Sequence, residues 1–453
     1  MKILTKDKTF YKRLFLLAIP VALQNLITFL VTFADNNMVS SLGDAAVSGV
    51  YMGGQIQTLL QVFTAGIDST ILILAAQYWG KGDTKSIKTI AATGLRFSLF
   101  FGTVLTTVCA TAPEAILSVF TDDAEVIAQG KDFLRIVCFS YPFFCITQSL
   151  ISTMRSVETA RLGMYVSLAS LVTDIFLNYA LIGGRLGFPA LGVKGAAIAT
   201  LVSRIVEAVI ITVYVFAADK KLCFKPGNLF ARDNALTRDF IRYGLPLVGG
   251  QLIWGINLMG NSIILGHFDQ SVITATSIAN TMNTLAYVTM NGMSSAVGII
   301  TGKTIGEGKT ELMKEYARTV QIIFLGVGII TGAMIALLKA PFISLYGGIS
   351  TDAADTARQF ISVLSVTMVG TCYQAACLMG LVKSGGDVSF VFKNDTIFVL
   401  LVVLPSAVLA SYLGAPAWVV FACLKCDQIL KCFVAAVKIN RFNWIKNLTR
   451  DGN

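Results

Sequence analysis

Apolar residues form long runs along the whole chain, and polar residues collect between the runs. About 20 helical residues cross the roughly 30 Å hydrocarbon core of a bilayer, and runs near this length recur, as in Leu14–Ala34, Val320–Leu338 and Thr396–Leu413. A buried helix of a soluble protein explains one or two such runs but not a dozen. The predicted membrane spans are 12–36, 47–79, 89–112, 130–153, 161–183, 192–218, 240–266, 272–302, 316–339, 357–382, 389–413 and 415–437.

The basic residues alternate between successive loops. Lysine and arginine are frequent in residues 81–88, 220–242 and 303–318, whereas the intervening loops hold few, such as Arg185 and Lys194. Cytoplasmic loops of membrane proteins carry this excess of positive charge. The pattern therefore places both termini in the cytoplasm and requires an even number of spans.

Composition supports a membrane class over a nucleic-acid-binding one. The chain has 453 residues, of which 55% are hydrophobic and only 14% are charged, against about 25% charged residues in soluble domains. The net charge of +10 lies in the alternate loops, where it faces anionic lipid at a cytoplasmic membrane surface. We therefore expect lipid as a partner and no nucleic acid.

The second half of the chain repeats features of the first. Pro20 corresponds to Pro246 at an offset of 226 residues (246 − 20 = 226), and the same offset carries Asp35 to Asn261. Gly80, Gly82, Thr84 and Lys88 likewise correspond to Gly306, Gly308, Thr310 and Lys314. An even number of spans separates the copies, so both have the same orientation in the membrane.

The repeat predicts an all-α polytopic membrane protein of about twelve transmembrane helices in two pseudo-symmetric six-helix lobes. Its N-lobe is residues 1–218, its cytoplasmic linker is 219–239, and its C-lobe with the cytoplasmic tail is 240–453. Parallel repeats are related by an axis along the membrane normal, and a cavity between such halves suits alternating access. Channels and membrane scaffolds are also built by duplication, and transport is the favoured interpretation among these three functions.

Enzymatic and cofactor chemistry is poorly supported. The segment Gly298–Thr304 resembles a phosphate-binding loop, but it has one residue too few between its glycines and ends a predicted membrane helix. The nine cysteines are scattered, the Cys423–Cys426 spacing lacks a redox-fold context, and His267 lies near a helix end. We expect no enzyme, no cofactor and no metal beyond a transported Na⁺, so energy must come from an ion gradient.

Three polar residues inside predicted spans are the candidates for cation or proton binding. Asp35 lies on the first span, and Asp174 and Asn178 lie four residues apart on one face of the fifth. Charged groups in a bilayer core are costly and usually functional. Two such carboxylates could carry a proton, or could hold Na⁺ together with amide and hydroxyl oxygens. Alternatively, they lie among headgroups or pair with Arg96 or Arg135.

Other polar residues in the spans are ambiguous. Pro20 removes one backbone hydrogen bond, so it makes either a hinge or a static bend. Whether Asp68, Arg204 and Glu207 face a cavity stays open at this point. Amide and carboxylate side chains in spans could line a hydrated cavity or hold helices together. The candidates for cavity lining are Gln24, Asp68, Gln251, Asn257, Asn261, Asn283 and Gln374.

Several short motifs, taken in order, resemble the multidrug and toxic compound extrusion (MATE) family over essentially the whole chain. They are Ala18-Ile19-Pro20, Ala34-Asp35, Gln77–Asp83, Leu177–Ile182, Gly192–Thr200 and Gly385-Gly386-Asp387. The resemblance implies a V-shaped bundle that exports organic, often cationic, compounds against inward flow of H⁺ or Na⁺. It also implies an N-lobe ion site at Asp35, at Asp174 and Asn178 in reversed order, and at Thr200.

The resemblance also separates two branches of the family. NorM-like members carry C-lobe carboxylates on the seventh and tenth helices, and the nearest positions here are Trp254 and Cys372. Neither side chain ligates a hard cation, so the resemblance implies N-lobe coupling, as in DinF-like members.

The sequence thus predicts an efflux antiporter of the bacterial inner membrane, with both termini cytoplasmic and H⁺ or Na⁺ as the coupling ion. We expect small-molecule substrates and a monomer. The alternative is a flippase for a lipid-linked glycan precursor. The substrate and the choice between H⁺ and Na⁺ are not determined by the sequence.

Overall fold

The computed structural model describes residues 4–346 and 350–450, and the regular secondary structure of this part of the chain is all helical, with no β-strand. The first six membrane helices are α1 Lys8–Val39, α2 Asp44–Lys81, α3 Thr84–Thr111, α4 Ala124–Ser156, α5 Arg161–Ile182 and α6 Val193–Ala218. The next six are α7 Asn234–Gly266, α8 Gln270–Gly306, α9 Thr310–Ser344, α10 Thr351–Lys383, α11 Val388–Tyr412, and α12 in two pieces, Ala417–Leu424 and Asp427–Asn440. Short helical turns at Pro113–Leu117 and Pro226–Phe230 lie between them.

Ten of the described helices are long and apolar enough to cross a membrane. The remaining two are α8, which has many hydroxyl and amide side chains, and α12, which is interrupted near its middle. The chain is therefore a multi-pass membrane protein, and the predicted all-α architecture of about twelve helices is confirmed.

The sequence repeat is also a repeat of helices. Helices α1, α2 and α3 begin at Lys8, Asp44 and Thr84. Helices α7, α8 and α9 begin 226 residues later in each case, at Asn234, Gln270 and Thr310.

The turn after the second helix of each repeat has the same backbone geometry. Gly82 and Gly308 have φ angles of +80° and +74°, which only glycine adopts without strain. The N–H of Gly82 donates to the Trp79 carbonyl at 3.1 Å, and the N–H of Gly308 donates to the Ile305 carbonyl at 2.9 Å. These glycines end the helices and allow the chain to reverse at once into the next span.

The chain folds into two compact units. One, here called the N-unit, is Leu23–Val248, and the other, the C-unit, is Met1–Ala22 with Gly249–Asn453. The division falls inside α1 and inside α7, in each case two residues beyond the helix proline, Pro20 or Pro246. The predicted lobes at 1–218 and 240–453 describe sequence order and stay a prediction.

Each unit contains one close contact between a glycine and a neighbouring helix just beyond the helix proline. In the N-unit, a Cβ atom added to Gly66 of α2 would lie 2.6 Å from the Cα atom of Val248 in α7. In the C-unit, a Cβ atom added to Gly292 of α8 would lie 2.7 Å from the Cβ atom of Ala22 in α1. The two contacts are equivalent at the repeat offset, so the repeat conserves the packing of each helix at its proline.

Candidate functional site

Three helices of the N-unit bring polar side chains together in its interior. Asp35 projects from α1, Asp174 and Asn178 from α5, and Ser203 from α6. Asp174 and Asn178 are each only 1% exposed. Because they lie four residues apart on one helix, they share the face that the surrounding helices bury.

Asn178 joins the two carboxylates. Its Nδ2 atom donates to Oδ1 of Asp35 at 2.7 Å and to Oδ2 of Asp174 at 3.0 Å. The Oδ1 atom of Asn178 is buried and accepts no hydrogen bond within the described residues. A buried acceptor without a donor is unusual, and in this position it leaves an oxygen ligand free beside two carboxylates.

Helix α6 adds a hydroxyl group, although from a different residue than expected. Ser203 Oγ donates to Oδ1 of Asp174 at 3.2 Å. The hydroxyl of Thr200 donates to the Ala196 carbonyl of its own helix at 3.1 Å. Thr200 lies nearly one helical turn before Ser203, so the expected hydroxyl position is one turn away from the observed contact.

An ion pair lies beside the carboxylates. Arg204 Nη1 contacts Oε2 of Glu207 at 2.9 Å, and the guanidinium lies over the Phe144 ring at 5.1 Å from its centroid. The charge of Arg204 also acts on Asp174 and Asp35. One cation thus faces three carboxylates, so the group carries an acidic surplus that a proton or a monovalent cation would reduce.

Arg96, an alternative partner of these aspartates, contacts other groups among the described residues. Arg96 donates from Nε to the Ala92 carbonyl at 3.1 Å and from Nη2 to the Ala231 carbonyl at 2.8 Å. Arg96 therefore ties α3 to the segment before α7, away from the carboxylate pair. No group of three or more His, Cys, Asp or Glu residues in the described chain forms a metal site.

Two of the predicted cavity residues belong to a second polar group of the N-unit. Gln24 is 5% exposed, and its Oε1 accepts a hydrogen bond from Nη2 of Arg155 at 2.6 Å. Asp68 of α2 lies near Arg155, and its Oδ1 is buried without a hydrogen-bond donor among the described residues. Gln24 therefore packs between helices, and Asp68 is an electrostatic neighbour of Arg155.

The other predicted cavity residues lie in the C-unit. Gln251, Asn257, Asn261 and Asn283 are half-buried, and the Oδ1 atoms of Asn257 and Asn261 are buried without a donor in the part of the chain that is described. Gln374 bonds to Gln428. Their role as cavity lining stays a prediction.

A groove of about 770 Å³ runs along the C-unit between α10 and α12. Its lining is mostly apolar and includes Val363, Val366, Trp418, Ile429 and Leu430. No predicted cavity residue lines it.

The positions compared with NorM-like carboxylates carry no acid. Trp254 of α7 is 51% exposed, and Cys372 of α10 is 1% exposed among apolar residues. The C-unit instead contains a group of buried charges that is not predicted from the sequence, namely Lys431 and Asp427 of α12 with Asp395 of α11. The four-residue spacing of Asp427 and Lys431 was the available signal, since it places both on one helical face.

A family model described as MatE matches residues 20–180 and 246–411. The two matched segments begin at Pro20 and Pro246, the same pair that defines the internal repeat. The match covers most of both halves of the chain, and it does not favour the flippase alternative.

Curated relatives and solved structures agree with this match. The chain is 25% identical to the probable multidrug resistance protein NorM of Thermotoga maritima over 360 residues, which is 79% of this chain and 76% of the relative. It is 25% identical to the protein of the same description from Halalkalibacterium halodurans over 405 residues, or 88% and 87% of the two chains. A structure of MATE in complex with MaL6 superposes with a TM-score of 0.86 at 20% identity and covers 95% of this chain and 96% of that one.

Proposed function

The chain belongs to the MatE family of membrane transporters, and from this premise we propose that it exports small organic compounds by antiport with H⁺ or Na⁺. Transporters of this family use ion gradients and need no cofactor. The family also argues against an enzyme. The names of the curated relatives, which are probable multidrug resistance proteins, support cationic or amphipathic compounds as the substrate class.

The observation that carries this proposal is the carboxylate pair of Asp35 and Asp174 on one amide nitrogen of Asn178. An uncompensated charge inside a membrane protein costs at least about 2.5 kcal/mol at the bilayer centre. A structural role alone would be served by neutral side chains at lower cost. Exchange of a cation or proton at this pair is a function that requires charged side chains.

The ion would bind where the acidic surplus is largest. Oxygen atoms of Asp35, Asp174, Asn178 and Ser203 are the candidate ligands for Na⁺, and either aspartate is the candidate carrier of H⁺. Binding removes repulsion between α1 and α5, so these helices can approach each other. Release restores the repulsion and separates them again.

Pro20 is the proposed hinge through which this change reaches the rest of α1. It removes a backbone hydrogen bond inside the helix, and the chain passes from one compact unit to the other at Ala22–Leu23. A bend at this point changes the position of the N-unit part of α1, which carries Asp35. Substrate would leave when this part of α1 moves.

The coupling is proposed to lie in the N-unit, as in DinF-like members. Trp254 and Cys372 supply no carboxylate in the C-unit, whereas Asp35 and Asp174 supply an amide-bridged carboxylate pair in the N-unit. We also propose that the protein lies in the bacterial inner membrane as a monomer, with both termini in the cytoplasm, and that it binds no nucleic acid.

Replacement of Asp35 by Asn tests the proposal. In proteoliposomes with an imposed H⁺ or Na⁺ gradient, we expect Asp35→Asn to reduce substrate efflux to the level of protein-free vesicles, because one exchangeable charge is lost. Asp44→Asn is the matched control, since Asp44 is exposed at the start of α2. Efflux by Asp35→Asn at the rate of the unmodified protein under both gradients would exclude Asp35 as the coupling residue.

A further inference from the structure

A lysine lies buried in the C-unit between two carboxylates from different helices. Lys431 Nζ of α12 is 2.9 Å from Oδ1 of Asp395 in α11 and 3.0 Å from Oδ2 of Asp427 in α12. The side chains of Lys431, Asp395 and Asp427 are 7%, 16% and 3% exposed. Solvent therefore contributes little to the balance of these charges.

The backbone is irregular around this group on three helices. Helix α12 is interrupted at Lys425 and Cys426, and Asp427 begins its second piece. Helix α10 ends in π-helical turns at Ala375–Lys383, and α11 contains π-helical turns at Phe398–Val403, just after Asp395. Interrupted helices and π-helical turns recur at ion and substrate sites of transporters and enzymes.

Neutral side chains complete the surroundings of Asp427. Gln428 Nε2 donates to Oδ1 of Asp427 at 3.0 Å, and Gln428 Oε1 accepts from Thr371 Oγ1 at 3.1 Å and from Gln374. The carboxylate is thus held in place by amides on one side and by the ammonium group on the other.

Other titratable groups face the pair from farther away. Lys383 of α10 acts on Asp395 through its charge, and Lys425 of α12 and Tyr287 of α8 interact electrostatically with Asp427. The ammonium group of Lys425 lies 5.7 Å from the centroid of the Phe421 ring. Two cysteines of α12, Cys426 and Cys432, also interact electrostatically with Asp427.

We propose that the ammonium group of Lys431 occupies the place of a coupling cation, so that the C-unit carries a tethered, permanent cation. This site resembles the pair at Asp35 and Asp174, because in each site one group bridges two carboxylates that lie on two different helices. The bridging group in the N-unit is the neutral amide of Asn178, which leaves the charge to be balanced by an ion from the medium. In the C-unit the bridging group is itself a cation.

This inference rests on the proposed antiport and specifies where its ion binds. Lys431 balances one of the two carboxylate charges by direct contact, and the charges of Lys383 and Lys425 act on the same carboxylates from farther away, so the site needs no Na⁺ and no proton. Without Lys431, the two carboxylates would remain in an apolar interior with their contacting cation removed, and they would recruit a monovalent cation or protons. Lys431 therefore excludes a second exchangeable ion and restricts coupling to the N-unit.

Replacement of Lys431 by Met tests this exclusion, because Met keeps the chain length and removes the charge. With purified protein in detergent at mildly alkaline pH, we expect Lys431→Met to bind one more equivalent of Na⁺, or to take up one more proton, than the unmodified protein. We also expect the Tm of the variant to rise with NaCl relative to choline chloride, or on acidification, by more than that of the unmodified protein.

Two further variants make the result specific. Lys425→Met removes a nearby charge that lies over a ring instead of between carboxylates, so it should add no cation requirement. The neutral variant Lys431→Met with Asp395→Asn and Asp427→Asn should fold in choline chloride and should lose the extra equivalent.

Two outcomes would overturn the proposal. One is a Lys431→Met protein with the same ion stoichiometry and the same ion dependence of Tm as the unmodified protein. The other is a Lys431→Met protein that is unfolded in every salt and at every pH and is not rescued by the two Asn substitutions, since Lys431 would then act other than through charge balance. These measurements need no transport, so a failure of the proposed efflux function would be recognised separately, by the vesicle assay.

Discussion

The proposed difference between the two carboxylate pairs rests on the single side chain that bridges each pair. Asn178 donates from one nitrogen to Asp35 and Asp174 and adds no charge. Lys431 bridges Asp395 and Asp427 in a comparable way and adds a full positive charge. The amide therefore offsets neither carboxylate charge of its pair, whereas the ammonium group offsets one of the two.

Another buried acid, Asp387, fastens the end of the chain to the turn between α10 and α11. Its Oδ2 contacts Nζ of Lys438 at 2.6 Å, and its Oδ1 contacts Nζ of Lys446 at 2.8 Å. Burial raises the pKa of Asp387, but the hydrogen bonds and charges of the two lysines outweigh it and hold the pKa below its ordinary value. Trp444, which is fully buried beside Gly385, covers the same turn.

The lowered pKa of Asp387 predicts that its contacts with Lys438 and Lys446 stabilise the protein less at acidic pH. A carboxyl group with a depressed folded-state pKa stabilises the protein fully above its unfolded-state pKa of about 3.9, and this stability is lost as pH falls through the folded-state value. We expect Asp387→Asn to reduce the free energy of unfolding at neutral pH by about 1–3 kcal/mol, because the substitution removes the charge that contacts both lysines. The measurement is Tm against pH in detergent, and the exposed Asp122→Asn is the control. Equal Tm values for Asp387→Asn and the unmodified protein would contradict this.

At the scale of elements, the two prolines and the two close glycine contacts belong together. Pro20 precedes Ala22, which packs against Gly292, and Pro246 precedes Val248, which packs against Gly66. A proline frees one backbone hydrogen bond, and a glycine without a Cβ atom allows a neighbouring helix to come close. Each repeat therefore combines a helix proline with a tight contact beside it.

Substitution of these glycines should be costly. An added methyl group meets backbone or Cβ atoms, which cannot rotate away, so we expect Gly66→Ala and Gly292→Ala each to lower stability by about 1–3 kcal/mol. Gly54→Ala is the matched control in α2, because an added Cβ atom there meets nothing within 4 Å. Thermal unfolding of the purified variants measures the effect. A Gly66→Ala protein as stable as the Gly54→Ala protein would show that the contact between Gly66 and Val248 accommodates a methyl group without loss of stability.

At the scale of the whole molecule, orientation in the membrane can be tested with a native cysteine. Cys223 is exposed in the segment between α6 and α7, whereas the other eight cysteines are buried or half-buried. Because the basic residues of this segment predict a cytoplasmic location, a membrane-impermeant maleimide should modify Cys223 in inside-out vesicles and leave it unmodified in intact cells. Cys223→Ser is the control, and labelling of intact cells at Cys223 would reverse the predicted topology.

The class of protein and its repeat were determined by the sequence alone. Long apolar runs in a membrane form helices, because the bilayer offers no hydrogen-bond partners and a helix pairs the backbone N–H and C=O groups within the run. The offset between Pro20 and Pro246 can be read from the sequence, and the first three helices of the two repeats start at the same offset. Asp35, Asp174 and Asn178 were also predictable as candidates, because charged side chains are rare in apolar spans and two of these residues share a helical face.

Only the tertiary structure decided which side chains meet. Ser203 donates to Asp174, whereas the Thr200 hydroxyl donates to its own helix, because the level of α6 along its axis determines which hydroxyl lies beside the carboxylate. Lys431 and Asp395 are 36 residues apart in the chain, and their contact depends on how α11 packs against α12. Periodicity along one helix specifies a face, but the partner of that face is set by helices far away in the sequence, and a single sequence carries no record of that choice.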